Sequence, residues 1–150
     1  MGRAISRREA VAGVTAGAVA LGASATPAAA ATPSVRGSWR ITPKLPEGAP
    51  SFVALAAFGA GGVFITTGSD EPGTGIGQWA STGRHRFTFA YTNFHFDGSG
   101  SLSSVVVVHA KGTFSGNKMT GSAELTRTDA NGDPVGSKQT SKFTGKRISA

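Results

Sequence analysis

The chain has 150 residues, a length that suits one domain with a modest hydrophobic core. It contains 22 glycines and no cysteine, which excludes a disulfide framework, a thiolate nucleophile, a zinc–thiolate site and a lipid anchor on cysteine. The formal net charge is +7, of which three arginines and Glu9 at the start of the chain account for +2 and leave +5 beyond them. These charges are spread along the sequence, which predicts solubility or a loose attraction to an anionic wall or membrane surface.

Residues 1–31 are predicted to be a secretory signal peptide. Ser6-Arg7-Arg8 precedes a weakly apolar run over 10–25, and a small-residue A-x-A exit follows at 28–31. The paired arginines and the glycine-containing run resemble a twin-arginine (Tat) leader, and Sec export is the alternative. A membrane anchor is disfavoured because the run is short and glycine-rich. Cleavage after Ala30 or Ala31 predicts a mature domain over 32–150 that a bacterial export machinery delivers to the periplasm or outside the cell, with no stable membrane span.

Beyond the leader the pattern predicts eight strands and no helix, although a helix is the alternative for 51–58, which is apolar on both faces. Three prolines in 43–50 predict a long first connection, and the polar stretch 68–77 predicts a glycine-rich loop. An Asn-Gly pair in 129–133 predicts a hairpin turn, with a calcium loop as the weaker alternative. The predicted strands cover 37–42, 51–58, 63–67, 77–82, 84–96, 101–115, 118–128 and 135–148.

The strand over 84–96 carries the strongest pattern in the chain. Phe87, Phe89 and Tyr91 recur at every second position, which is the period of a half-buried strand. The aromatic parity changes at Asn93, which predicts a bulge or the exit of the strand from its sheet. Eight sequential antiparallel strands close naturally into an up-and-down barrel, because closure removes exposed edges. The prediction is an all-β, eight-stranded antiparallel barrel, with a β-sandwich as the alternative.

The two ends of this domain resemble the calycin superfamily, which includes the lipocalins. Gly37-Ser38-Trp39 is similar to the G-x-W motif of their first strand, and Arg147 stands where a basic residue of the last strand packs over that tryptophan. The resemblance implies a closed barrel in which Trp39 and Arg147 are structural, and an interior for a small ligand. Gly77-Gln78-Trp79 repeats the motif in mid-chain, where the family does not have it. At the level of a glycine-rich barrel the chain also resembles the allene oxide cyclase-like barrels, which implies isomerase or cyclase chemistry.

Groups that could perform catalysis are few. His85, His95 and His109 do not share metal-ligand spacing, no G-x-S-x-G motif is present, and Glu124, the carboxylate predicted in mid-strand, faces outward. No metal or cofactor is therefore predicted. Nucleic-acid binding is disfavoured because the lysines are spread out and the aromatic residues are explained more simply as interior.

The aromatic interior is the remaining candidate site. Its side chains either pack as a solid core or line an apolar cavity that Tyr91 and Gln139 would make selective. Small residues on facing strands, such as Gly121 and Ala123, favour the cavity. The predicted function is binding of a small hydrophobic molecule. The alternatives are a cyclase or isomerase that uses Tyr91 and a secreted interaction or inhibitor module with a solid core. The predicted ligand-binding residues are Phe87, Phe89, Tyr91, Trp79, Gln139 and Phe143.

Overall fold

A computed structural model describes residues 32–45, 47, 49, 51–70 and 73–149. The predicted signal peptide over 1–31 lies outside these residues. The described part forms eight strands and one short 3₁₀ turn at Ala60–Gly62. The strands are β1 (Gly37–Lys44), β2 (Ala54–Phe58), β3 (Val63–Gly68), β4 (Thr74–Gly83), β5 (Arg86–Phe96), β6 (Leu102–Ser115), β7 (Lys118–Asp129) and β8 (Gln139–Arg147).

Each strand pairs antiparallel with the next, and β8 pairs with β1, so the sheet closes into a barrel. The prediction of an all-β, eight-stranded antiparallel barrel is therefore confirmed, and the sandwich alternative is wrong. Closure leaves no free edge strand, which is the usual solution for a meander of this size. Inward and outward side chains alternate along every strand.

The two ends of the barrel differ in the length of their connections. One end, here called the base, has the short turns at 59–62, 84–85 and 116–117, and the N-terminal strap over 32–36 lies against it. The other end, the mouth, has the longer connections at 45–53, 69–73, 97–101 and 130–138. Long connections tolerate variation and often carry function, which makes the mouth the end to examine for a site.

Several predicted boundaries are corrected by the structure. β2 begins at Ala54 and not at Ser51, and β8 begins at Gln139 rather than 135. β4 begins at Thr74, so the end of the predicted loop over 68–77 is strand. β1 continues through Pro43, because beyond Ile41 it pairs with β8 alone and the missing proline N–H weakens no second ladder.

The predicted bulge at Asn93 is also wrong. The pairing of β5 with β6 runs without interruption from Arg86 to His95, and the register shifts between His95 and Phe96. Phe94 is exposed and faces outward, as does Phe96. The change of aromatic parity therefore reflects two phenylalanines on the outer surface. Asn93 keeps the inward parity of Tyr91.

Candidate ligand site in the barrel interior

Aromatic rings fill the base half of the interior. Phe58 contacts four neighbouring rings edge to face, with its centroid 5.0 Å from Phe64, 5.5 Å from Phe87, 5.7 Å from Phe89 and 6.0 Å from Trp79. Edge-to-face packing at these distances adds attraction between rings beyond the buried apolar area. Phe58, Phe64 and Phe87 are at most 2% exposed. This half of the barrel is a packed core.

Trp39 closes the base together with Arg147 and the strap. The Arg147 guanidinium lies over the Trp39 ring, 4.3 Å from its centroid, and Trp39 is fully buried. Arg147 also donates hydrogen bonds to the backbone oxygens of Arg36 and of Ser34, the latter at 2.9 Å, and the Trp39 indole N–H donates to the Val35 oxygen at 2.7 Å. The cation–π contact and these bonds attach the strap beneath the barrel.

The two G-x-W sequences differ in their surroundings. Gly37, in the first, has a φ of 117°, and a Cβ there would lie 2.9 Å from an Arg147 guanidinium nitrogen, so a side chain would obstruct the contact over Trp39. Trp79, in the second, points inward as predicted, and its indole N–H donates to the Gly59 backbone oxygen at 2.9 Å. Trp79 therefore fixes the β2–β3 turn, and Arg147 lies over Trp39 alone among the described residues.

The small residues expected to leave space do not all do so. A Cβ built on Gly121 would lie 2.3 Å from the Phe143 ring, and one built on Gly112 would lie 2.8 Å from the Phe87 ring. Aromatic side chains therefore already occupy the volume beside these glycines. Of the predicted ligand-binding residues, Phe87, Phe89 and Phe143 all belong to this packed cluster. A ligand could reach them only by displacing other rings.

Tyr91 marks the change from packed core to mouth. The rings of Phe87, Phe89 and Tyr91 form a stack along β5. The distance between ring centroids is 6.1 Å for Phe87 and Phe89 and 6.3 Å for Phe89 and Tyr91. The pairing of β5 through β8 then sets Tyr91, Val108, Leu125 and Gln139 opposite one another in a single inward row. The structure therefore brings the two predicted polar groups, Tyr91 and Gln139, onto the same level of the barrel.

Two residues further along β5 toward the mouth, Asn93 carries an unsatisfied polar atom. Asn93 Oδ1 is buried and accepts no hydrogen bond from any described residue. Val106 lies directly opposite Asn93 on β6 and is buried, and a Cβ on Gly73 would lie 3.0 Å from this oxygen. An unpaired buried acceptor costs about 1–3 kcal/mol, so such an atom requires an explanation. Extending the two-residue period of β5 past Tyr91 would have identified Asn93 from the sequence.

The Tyr91 hydroxyl is available as a donor. No hydrogen bond from it is present among the described residues, and burial, with a smaller effect of Asp70, raises its pKa above the ordinary tyrosine value. A raised pKa keeps the phenol protonated at neutral pH. The Tyr91 hydroxyl can therefore donate a hydrogen bond, and it lies two residues along β5 from Asn93, whose Oδ1 has no donor among the described residues.

Two further depressions lie outside the barrel interior. The larger, of about 590 Å³, lies against the outer surface of β4–β8 and forms where Ala80 and Ala90 are too small to fill the sheet face. The smaller, of about 340 Å³, lies between the strap and the base ends of β4, β5 and β6. Neither is the enclosed interior cavity that the sequence predicts.

His85, His109 and Glu124 lie apart from this interior, whereas His95 keeps the inward parity of Asn93 on β5 and lies opposite the buried Ser104. His85 lies in the β4–β5 turn beside Phe114, with ring centroids 5.5 Å apart, whereas His109 is exposed on the outer surface. Glu124 faces outward, as predicted, and its carboxylate is 2.6 Å from Lys138 Nζ. In the described part of the chain, no group of three His, Cys, Asp or Glu side chains could hold a metal ion. In the 129–133 turn, the Asp129 carboxylate accepts hydrogen bonds from the backbone N–H groups of Asn131 and Asp133.

These observations define a closed eight-stranded barrel, consistent with a calycin-like fold, with a packed base and, near the mouth, a buried Asn93 oxygen that has no hydrogen-bond partner among the described residues. Comparison of the chain with protein-family models, curated proteins and solved structures gave no match. Within the described residues, no helix has the length and hydropathy needed to cross a bilayer.

Proposed function

We propose that this barrel binds one small, mainly apolar molecule through its mouth, with Tyr91 as the floor of the site. The supporting observation is that, among the described residues, neither the buried Oδ1 of Asn93 nor the nearby hydroxyl of Tyr91 has a hydrogen-bond partner. Val108 and Leu125 supply apolar wall in the row of Tyr91, and the row of Asn93 continues through Val106 to Arg127. Ligand sites of this kind combine a mostly apolar lining with a few polar groups that fix orientation.

The two polar groups define what the ligand should carry. Asn93 Oδ1 accepts a hydrogen bond, and the protonated Tyr91 hydroxyl donates one. A hydroxyl group on the ligand could satisfy both at once, because it is donor and acceptor together. The filled base half limits the ligand to the space above Tyr91, so a short or single-ring molecule suits the site better than a long chain.

We also propose that the protein acts outside the cytoplasm, because the basic, apolar and A-x-A segments of residues 1–31 follow the order of an export signal. N-terminal sequencing of the protein exported by a bacterial host should find a start at Ala31 or Thr32. Replacement of Arg7 and Arg8 by lysine should block export if the leader uses the twin-arginine route. Export that is unchanged in this variant would assign the leader to the Sec route.

Native mass spectrometry of the purified full chain tests ligand binding directly. A small molecule that is released on denaturation would identify the ligand class. Titration with an apolar fluorescent probe measures the binding affinity of the protein and its variants. Loss of one hydrogen bond in Tyr91→Phe or Asn93→Leu should reduce the ligand-binding affinity by about three- to tenfold. Thr92→Ala, an outward change between the two sites, is the matched control.

Two results would contradict the proposal. The first is a clean apo mass combined with no uptake of the apolar probe. The second is probe binding that Thr92→Ala weakens as much as Tyr91→Phe does, because this would locate the probe on the outer surface.

A further inference from the structure

The barrel register gathers cations that the sequence spreads over more than a hundred positions. Six exposed basic side chains point outward from the four neighbouring strands β6, β7, β8 and β1. We call this surface the basic face, and it consists of Lys111, Lys118, Lys142, Lys146, Arg40 and Lys44. The expectation of scattered charge is therefore wrong for this side of the molecule, because closure of the barrel brings β8 against β1.

Within the basic face, like charges stand directly opposite each other. Lys118 pairs with Lys146 across β7 and β8, and Lys146 pairs with Arg40 across β8 and β1. Nearer the mouth, Lys142 pairs with Lys44. Opposite residues on antiparallel strands have Cβ atoms about 4.5–5.5 Å apart, and like charges there destabilise the sheet. An arrangement of this kind is relieved when an anion binds between the cations.

Among the described residues, no carboxylate forms a salt bridge with these cations, although Glu124 also attracts Lys111. Glu124 is next to the basic face on β7, but its carboxylate already pairs with Lys138 at 2.6 Å. The remaining carboxylates of the described residues lie at the mouth, and these are Glu47, Asp70, Asp97, Asp129 and Asp133. Most of the described carboxylates thus lie in the mouth connections, and the outer wall formed by β6, β7, β8 and β1 carries an excess of positive charge. Such a field directs an anionic partner toward the basic face.

Hydroxyl groups separate the two cationic rows. Thr113, Thr120, Thr144 and Thr42 form one outward row across β6, β7, β8 and β1, between the row of Lys146 and the row of Lys142. The two cationic rows are four residues apart along β8, which is about 13–14 Å. Lysine, arginine and threonine side chains are the groups that contact phosphate oxygens along a polymer backbone. No aromatic side chain lies in these rows, which argues against recognition by base stacking.

The chemistry of the basic face also argues against a lipid surface as the partner. Peripheral membrane binding combines cations with apolar side chains that enter the interface. Leu55 on β2 is exposed directly opposite Arg40, whereas the exposed Ile65 and Ile76 lie farther around the wall on β3 and β4. Only one of these three apolar side chains therefore borders the basic face. We propose that the basic face binds a linear phosphodiester polymer through its backbone phosphates, independently of any base sequence.

Fluorescence anisotropy of a labelled 20-nucleotide single strand, titrated with the full chain at several salt concentrations, tests this proposal. The logarithm of the observed association constant should fall linearly with the logarithm of salt concentration, with a slope of about −0.7 per phosphate contacted. Oligonucleotides of different sequence should bind alike. Poly(glycerol phosphate), which has the phosphodiester groups without bases, should displace the oligonucleotide at a similar concentration of charge.

Charge reversal at the centre of the basic face locates the contact. Lys146→Glu should weaken binding by about tenfold or more and make the salt slope shallower, because at least one phosphate contact is lost. The same variant should keep or raise the melting temperature, because it relieves two like-charge pairs. Arg127→Glu makes the same charge change at the mouth end of β7, on the inward row opposite Val106, and is the control for net charge. It should leave binding nearly unchanged.

The outcomes separate the proposal from its competitors. Equal losses in Lys146→Glu and Arg127→Glu would overturn it, since binding would then follow net charge alone. Failure of poly(glycerol phosphate) to compete would also overturn it, because the bases would then be recognised. Sedimentation with phosphatidylglycerol vesicles without oligonucleotide binding would instead assign the basic face to a membrane. If Lys146→Glu does not fold, the neutral variant Lys146→Gln replaces it, and the expected loss of oligonucleotide affinity is smaller.

Discussion

The base and the mouth of this barrel are formed by different kinds of side chain. At the base, rings pack against rings, an arginine covers a buried tryptophan, and the strap is held by hydrogen bonds to backbone oxygens. At the mouth, the interior is lined by aliphatic and polar side chains, and the connecting loops are longer. The difference indicates that the base provides most of the folding free energy. The mouth can then keep an unpaired acceptor at Asn93 without loss of the fold.

The largest expected effect separates the two ends directly. Phe58→Ala removes a ring that contacts four others, and a buried phenylalanine-to-alanine change costs about 3–5 kcal/mol of unfolding free energy. Tyr91→Phe removes only a hydroxyl with no hydrogen-bond partner among the described residues, so its cost should be within about 0.5 kcal/mol. Urea unfolding followed by tryptophan fluorescence measures both. Similar costs for the two variants would show that the base does not dominate stability.

Two glycines under aromatic rings sharpen the comparison. A Cβ at Gly121 would lie 2.3 Å from the Phe143 ring, which is only 4% exposed in the packed core, and 2.4 Å from the Lys111 backbone oxygen. Gly121→Ala should therefore cost about 2–3 kcal/mol. A Cβ at Gly75 would lie 2.6 Å from the Tyr91 ring and 2.9 Å from Thr66 Cγ2, and we expect the Tyr91 ring, at the edge of the packed core, to turn toward the mouth. The loss of unfolding free energy in Gly75→Ala should be smaller than that in Gly121→Ala by about 1 kcal/mol or more. Thermal unfolding of both variants decides whether Tyr91 has this freedom.

The fold was predictable from local patterns, whereas much of the surface chemistry was not. Alternation in β5 and the turn glycines predict eight strands, because each depends on a few consecutive residues. Arg147 over Trp39 was expected from the family resemblance and agrees with the observed contact. The strand boundaries at Pro43 and Thr74 were missed, because pairing partners far along the chain determine where a strand ends.

The candidate sites depend on register, which a single sequence does not contain. The change of aromatic parity at Asn93 predicts a bulge or the exit of the strand, because the sequence does not show that Phe94 is exposed on the outer surface. Lys118 and Lys146 looked unrelated, because 28 positions separate them in the chain, although they are opposite in the sheet. The predicted cavity likewise depended on how much space each ring occupies. Gly121 looked like empty volume, but the Phe143 ring fills it.

Closure of the base by Arg147 is expected to have a moderate effect. Arg147→Met keeps the length of the side chain but removes the contact over Trp39 and both hydrogen bonds to the strap. The cost should be about 1–2 kcal/mol, since Arg147 is only partly buried. Hydrogen exchange at 34–36 should increase while exchange in the mouth loops does not. Lys142→Met, an outward change on the same strand, is the control and should change neither quantity.

The smallest expected effect concerns a mouth loop that its own hydrogen bonds maintain. The Ser99 hydroxyl, followed by the Ser101 and Ser99 backbone N–H groups, donates to the Asp97 carboxylate and lowers its pKa below the ordinary aspartate value. Because the folded-state pKa is lowered, the stabilisation is present above the unfolded-state pKa of about 4 and is lost as pH falls through the folded value. Asp97→Asn should therefore destabilise slightly at pH 7, and its difference from the parent chain should disappear once the pH lies below the folded-state pKa of Asp97. Urea unfolding at pH 7 and at a pH below that pKa measures the difference. A difference of the same size at both would mean that the charge of Asp97 does not contribute, and that the loop depends on contacts with the barrel wall instead.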